Sequence, residues 1–188
     1  FWSTRSNLRD QSTERLRRAT KAYGMSLLER LLFAQAELEM IARQGVAKRD
    51  PPNGELADRF SGIARLRAGE IIDLDGAPFS PPALDDAGRE RLSAGRAALS
   101  LLTDPGDRPR AVIWVAVGDG TVLAGDLNPE YGWGIGLMEG LPAGSGLLIV
   151  TPDGQPLASS FGRTLTLQLL RVAESVGRSE TIFEATVD

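Results

Sequence analysis

Residues 110–127, RAVIWVAVGDGTVLAGDL, constrain the fold more than any other part of the chain. The two flanking runs are rich in β-branched and aromatic side chains, and Gly-Asp-Gly between them is a turn of the kind antiparallel hairpins prefer. A connection this short cannot join parallel strands, which need a long crossover. The pattern recurs: IARL, a tight turn at Ala68 and Gly69, and EIIDLDG read as another strand pair, as do GSGLLIV, TPDG and QPLASS. A last strand is expected in ETIFEATVD, where Ile182, Glu184 and Thr186 alternate with Phe183, Ala185 and Val187. The expected class is therefore α+β on an antiparallel sheet, not a doubly wound parallel one.

A helix precedes the sheet. Residues 8–44 contain no Pro and one Gly, Gly24, in a segment dense in Leu, Ala, Glu, Arg and Met, which predicts one long helix. Its seam runs Leu16, Thr20, Tyr23, Leu27, then Leu31, Ala34, Leu38, Ile41, a heptad-like stripe with a single stutter between Leu27 and Leu31. The second half, SLLERLLFAQAELEMIA, is apolar over more than that seam, so it is expected to lie on a domain and on a partner helix. Gly45 stops the helix and KRDPPNGE is a loop, giving a helical segment over residues 1–54 and a sheet domain over residues 55–188. In that domain a helical turn feeds a strand near Ile63 to Leu66, FSPP is a loop, and Asp85 and Asp86 start a helix through about Leu92. DPGDRP is a turn and TLTLQLLRVAESVG an amphipathic helix.

Composition limits the chemistry. At 188 residues and 20.1 kDa the chain can bury a real core as one domain with an appended helix. Its 21 Lys and Arg against 25 Asp and Glu leave a net charge of −4, which removes the main reason to expect nucleic acid as a partner. There is no Cys and no His, which excludes disulfides, thiolate nucleophiles, Cys or His metal sites and imidazole acid-base chemistry. No apolar run reaches the about eighteen residues of a membrane span, and no signal-peptide pattern opens the chain. The start, FWSTRSNLRDQ, turns from aromatic to polar as a chain does on leaving a membrane interface; a frayed terminus accounts for it equally.

Without His or Cys, acid-base work would fall to the close carboxylate pairs Asp73 and Asp75, Asp85 and Asp86, Asp104 and Asp107. Each sits in a turn region where Asp bonds backbone, so no catalytic residue is expected and the fragment reads as non-enzymatic. The glycines from Gly118 to Gly146 form no phosphate cradle, and no cofactor is expected. GDLNPE spaces Asp126, Asn128 and Glu130 like the start of a calcium loop, but Pro129 and the missing later ligands favour Asn-Pro turn chemistry over a metal. A small-molecule pocket is the stronger reading. Arg110, Val112 and Trp114 share one strand face, as do Arg65 and Arg67. Guanidinium forks grip carboxylate while rings exclude water, which fits an anionic or amino-acid-like ligand. Taken singly, Trp114 reads as core and the paired arginines as a solvated face.

Three segments in order after the helix, LSAGRAALSLL, GTVLAGDLNPEYGWG and LPAGSGLLIVTPDGQPLASS, resemble the extracytoplasmic Cache-type (PAS-like) sensor domain of bacterial membrane receptors, notably those ending in a GGDEF diguanylate cyclase domain. The resemblance covers residues 8–188 and is most distinctive over residues 92–160. It implies a long helix packed on a PAS-like, curved antiparallel sheet, set in the periplasm between two transmembrane segments of an inner-membrane protein. It also implies a role: binding a small-molecule signal and passing a shift through the helices to a cytoplasmic output, with homodimerisation through the N-terminal helix. Gly132 departs from the pattern, standing where a large apolar residue is expected, and a closing strand is expected beyond Asp188. In DLNPEYGWG the chain is expected to leave the strand over residues 126–129, with Tyr131 and Trp133 on one side of an extended segment, closing the sheet's core. The ligand-binding candidates are Arg65, Arg67, Arg110, Trp114, Asp126, Tyr131 and Trp133. The alternative is a constitutive dimerisation or protein-interaction module with no small-molecule ligand.

Overall fold

The computed structural model of the chain describes residues 2–44, 58–102, 109–134, 146–151 and 154–176. It divides into two compact units, Ser26–Gly134 on one side and Phe1–Met25 with Ile135–Asp188 on the other. The class is α+β: an N-terminal helix and a five-stranded antiparallel sheet. Gly45, KRDPPNGE, the greater part of DPGDRP and the strand expected in ETIFEATVD lie outside the described residues.

Helix α1 spans Trp2–Gln44 and so starts before the residue 8 expected from composition. Pairs four residues apart brace its surface, Arg18 Nε donating to Glu14 at 3.0 Å and Gln35 Nε2 to Glu39 at 2.8 Å. Of the expected seam within the first unit, Ala34, Leu38 and Ile41 are buried, together with Ala42, while Leu27 and Leu31 are half-buried.

In that unit Asp58 and Arg59 are helical and lead into β1 (Phe60–Arg67). Ala68 and Gly69 turn the chain at φ 52° and 85°, and β2 (Glu70–Gly76) returns antiparallel. Asp85 caps α2 (Asp86–Ser93), its carboxylate accepting from the Gly88 N–H at 2.7 Å. Then come β3 (Ala98–Leu102), β4 (Arg110–Gly118), β5 (Thr121–Leu127) and the short α3 (Pro129–Trp133). The strand order is β2-β1-β5-β4-β3, so residues 77–97, with α2 among them, carry the chain from one edge of the sheet to the other.

Strand β3 is not foreshadowed by composition. Its sequence, ALSLL, consists mostly of good helix formers and follows a helix directly. Gly95 at φ 70° breaks the helical path, and Ala98, Ser100 and Leu102 then pair with Trp114, Val112 and Arg110.

The register separates the two faces. Ala64 sits opposite Ala124, Ala124 opposite Trp114, and Trp114 opposite Ala98, one row across four strands. With Leu66 and Val112 this row forms a core cluster closed by Leu92 of α2 and by Phe79 and Leu84 of the crossover. The other face carries Ile63, Ile113, Val115 and Leu123 and meets α1. Gly125 marks that contact: a Cβ there would stand 2.6 Å from the Phe60 ring and 3.2 Å from Leu38 Cδ2.

In the second unit β6 (Leu148–Val150) pairs antiparallel with β7 (Pro156–Ser159), as the hairpin pattern predicts. The Thr151 N–H donates to the Gln155 carbonyl at 2.8 Å to close the turn. Helix α4 (Arg163–Val176) follows, and the Ser159 and Thr166 hydroxyls, 2.8 Å apart, tie the end of β7 to its first turn. Among the described residues no helix is long and apolar enough to cross a membrane.

Candidate ligand site

Arg110 opens β4 and Asp126 lies near the end of β5. Because Val112 pairs with Asp126, the period of two brings Arg110 diagonally beside it on the same face. Arg110 Nε and Nη2 donate to the two Asp126 carboxylate oxygens at 3.2 and 2.9 Å, with the carboxylate nearly buried and the guanidinium about one-third exposed. The guanidinium lies over the Phe79 ring, 5.6 Å from its centroid. Phe79 in turn rests on Gly62, where a Cβ would come within 3.0 Å of the ring and would also strike the Ala77 carbonyl. Pro78, Phe79, Ser80, Arg110 and Asp126 line an open recess of about 470 Å³.

Two of the expected ligand residues thus meet. Phe79 and Ser80 carry no signal of this placement in the sequence, since they come from the crossover and only the strand order brings them here. Trp114 is core: it is buried, and its indole N–H donates to Ser100 Oγ at 3.0 Å.

Arg65 and Arg67 are placed elsewhere. Arg65 pairs with Leu123 and Arg67 with Thr121, so both point to the face opposite Arg110 and Trp114. Arg67 Nε donates to Thr121 Oγ1 at 3.2 Å and its Nη2 to Asp119 at 2.6 Å. The Thr121 hydroxyl, with help from Arg67, holds the exposed Asp119 carboxyl below its ordinary pKa. Nε and Nη2 of Arg65 are buried with no hydrogen-bond partner among the described residues. Sequence periodicity showed which arginines share a strand face, but register decides how the faces of separate strands align.

The segment after β5 corrects a second expectation. Residues 129–133 are helical, not extended, because Asn128 acts as N-cap, accepting the Glu130 N–H at 3.0 Å, and Pro129 occupies the first turn. Tyr131 and Trp133 therefore point to different sides. The Trp133 indole donates to the Pro109 carbonyl at 3.4 Å, whereas Tyr131 turns to α1. The Tyr131 hydroxyl donates to the Arg30 carbonyl at 3.3 Å, and Arg30 Nη1 donates to the Tyr131 carbonyl at 3.2 Å. Beside them Arg59 pairs with Glu37 of α1 at 2.7 Å and covers the Phe33 ring at 4.6 Å. Burial pushes the Tyr131 phenol above its ordinary pKa; Arg59 opposes this, Glu37 adds to it, and Arg30 opposes it. Gly132 is closely packed: a Cβ there would stand 2.6 Å from Leu127 Cδ2, so a larger residue requires the buried Leu127 side chain to shift.

Of the other acidic candidates, Asp104 and Asp107 lie outside the described residues, and three have local roles. Asp73 accepts from the Leu74 N–H at 3.0 Å, Asp85 caps α2, and Asp86 pairs with Arg89 at 2.5 Å. Asp126 and Asn128 are committed to Arg110 and to the α3 cap, so GDLNPE does not gather its oxygens around one point.

No family model matches the chain, and no curated protein matches it in sequence. Among solved structures it resembles that of the Bacillus subtilis YkuI protein, with an EAL domain, in complex with substrate c-di-GMP and calcium. The identity is 15%, the match covers 75% of this chain and 38% of that one, and the TM-score is 0.35. The chain thus spans well under half the length of that protein, and a likeness this distant carries no argument about fold or function.

Proposed function

We propose that this chain is the signal-input domain of a bacterial transmembrane receptor, an extracytoplasmic sensor that binds a small molecule and controls a cytoplasmic output, in the first instance a diguanylate cyclase. The observation that supports it is the continuity of β5 and α3. Asp126 lines the recess on one face of the sheet, and Tyr131, five residues on, is latched to Arg30 of α1 against the other. A ligand seated on the Arg110–Asp126 pair would bear on the strand whose continuation holds the helix. The helix is the natural carrier of the signal, because a packed helix interface is bistable rather than continuously deformable.

A thermal-shift screen of amino acids, carboxylates, amides and polyamines tests binding, since a ligand of the folded state must raise its melting temperature. Hydrogen exchange over residues 26–44 with each hit tests the coupling. A hit that leaves α1 exchange unchanged removes the relay; no hit at all removes the small-molecule sensor. In the gene, apolar spans of about twenty residues on both sides of the domain, followed by a cyclase signature, are expected; a gene lacking them ends the receptor reading.

A second reading rests on α1. Leu28, Leu32, Ala36 and Met40, spaced by four, are exposed along one side of the helix, while its other side packs on the sheet. That row favours homodimerisation through α1, with or without a ligand.

A further inference from the structure

We infer that the recess selects an uncharged ligand with a planar amide edge on an apolar ring, a carboxamide or lactam, and rejects the free carboxylate that lone arginines would attract. The inference rests on the recess being a ligand site. Arg110 brings the cation of the lining and Asp126 the anion, and the two are already joined in a bidentate pair. The lining is therefore electrically neutral before anything binds.

A carboxylate entering here would share one guanidinium with the nearly buried Asp126, placing two like charges together. An ammonium would meet Arg110 with the Asp126 charge already engaged. Breaking the pair to free either partner leaves an uncompensated charge in a half-buried site.

An amide needs none of this. Nε and Nη2 of Arg110 each give one N–H to Asp126, and the second Nη2 N–H, next to the bound carboxylate oxygen, has no partner among the described residues; each Asp126 oxygen accepts one bond and retains a lone pair. A donor edge and an acceptor edge thus stand side by side without net charge. The C=O and N–H of an amide supply the complement in one plane. Ser80 adds a hydroxyl that both donates and accepts, and Phe79 and Pro78 provide the apolar wall for the ring.

Benzamide and benzoate, equal in shape and different in charge, are the probes. Titrating each into the full chain with ¹⁵N-labelled arginine side chains, and following the Arg110 Nε resonance, should give benzamide the tighter binding by about tenfold. In Asp126→Asn, where Arg110 loses its anion, the preference should reverse toward benzoate. Tighter binding of benzoate by the unmodified chain would overturn the ligand class and leave the recess as a site. No movement of the Arg110 resonance with either probe at millimolar concentration would overturn the site as well. The comparison on the unmodified chain stands even if Asp126→Asn does not fold.

Discussion

Tyr131 and Arg30 hold each other twice: the phenol donates to the arginine's carbonyl at 3.3 Å and the guanidinium to the tyrosine's carbonyl at 3.2 Å. The two are 101 residues apart in sequence, so this reciprocal pair fixes α3, the short helix that follows β5, to α1. The phenol must lose water to make it, and that desolvation is measurable. With Tyr23→Phe, Tyr131 is the only tyrosine, and its ionisation can be read by ultraviolet absorbance. It should ionise above the ordinary value of about 10. The folded state keeps this proton to higher pH than the unfolded chain, so stability is full below the unfolded value and falls as pH rises through the folded one. Glu37→Gln should move the titration down and Arg59→Gln should move it up. Ionisation at or below the ordinary value would contradict the burial of the ring.

Gly134 ends α3 at φ 50°, and a methyl group there would run into the Arg30 guanidinium. Gly134→Ala should therefore cost more than ~1 kcal/mol in urea unfolding, part from backbone strain and part from expelling Arg30. In an Arg30→Gln background only the backbone part remains, and the two changes should be sub-additive. Strict additivity would mean that the glycine is not there for Arg30.

The buried Trp114 indole depends on Ser100. Ser100→Ala leaves its N–H without a partner and should destabilise the chain by about 1–2 kcal/mol. Trp114→Phe, made in the Ser100→Ala protein, should cost less than the same change in the unmodified one, because the orphaned donor disappears with it. Equal costs would show that the hydrogen bond does not count.

On the exposed row of α1, Leu32→Lys should change unfolding stability by no more than about 0.5 kcal/mol, since the side chain is 54% exposed. Sedimentation equilibrium should nevertheless show weaker self-association. A monomer with and without the substitution, at high concentration, would dispose of the helix-mediated dimer.

Much of the fold is written locally. Gly-Asp-Gly announces the β4–β5 hairpin, Asp85 announces α2, and the Pro-free stretch announces α1, because each signal acts over a few residues. The Arg110–Asp126 pair lies at the limit of that reach: both ends belong to one hairpin, so its register is enough to bring them together. Phe79 and Ser80 lie beyond it, since nothing nearby says which strand their loop crosses. Arg65 and Trp114 look like members of one pocket in the sequence for the same reason; only the pairing of Arg65 with Leu123 shows that the sheet separates them. Tyr131 and Trp133 depart from the extended arrangement for a different reason. Asn-Pro reads as the end of a strand, and here it is also the beginning of a helix, an ambiguity that local chemistry leaves open.

The strand order has a consequence for synthesis. β1 emerges early, yet one of its two neighbours is β5, and Arg67 meets Thr121 across 54 residues of chain. A nascent chain can zip β1 to β2 at once, but the inner edge of β1 stays open until β5 leaves the ribosome. A pause in translation before residue 121 would leave that edge unpaired, and this is where the chain is most open to joining the wrong neighbour.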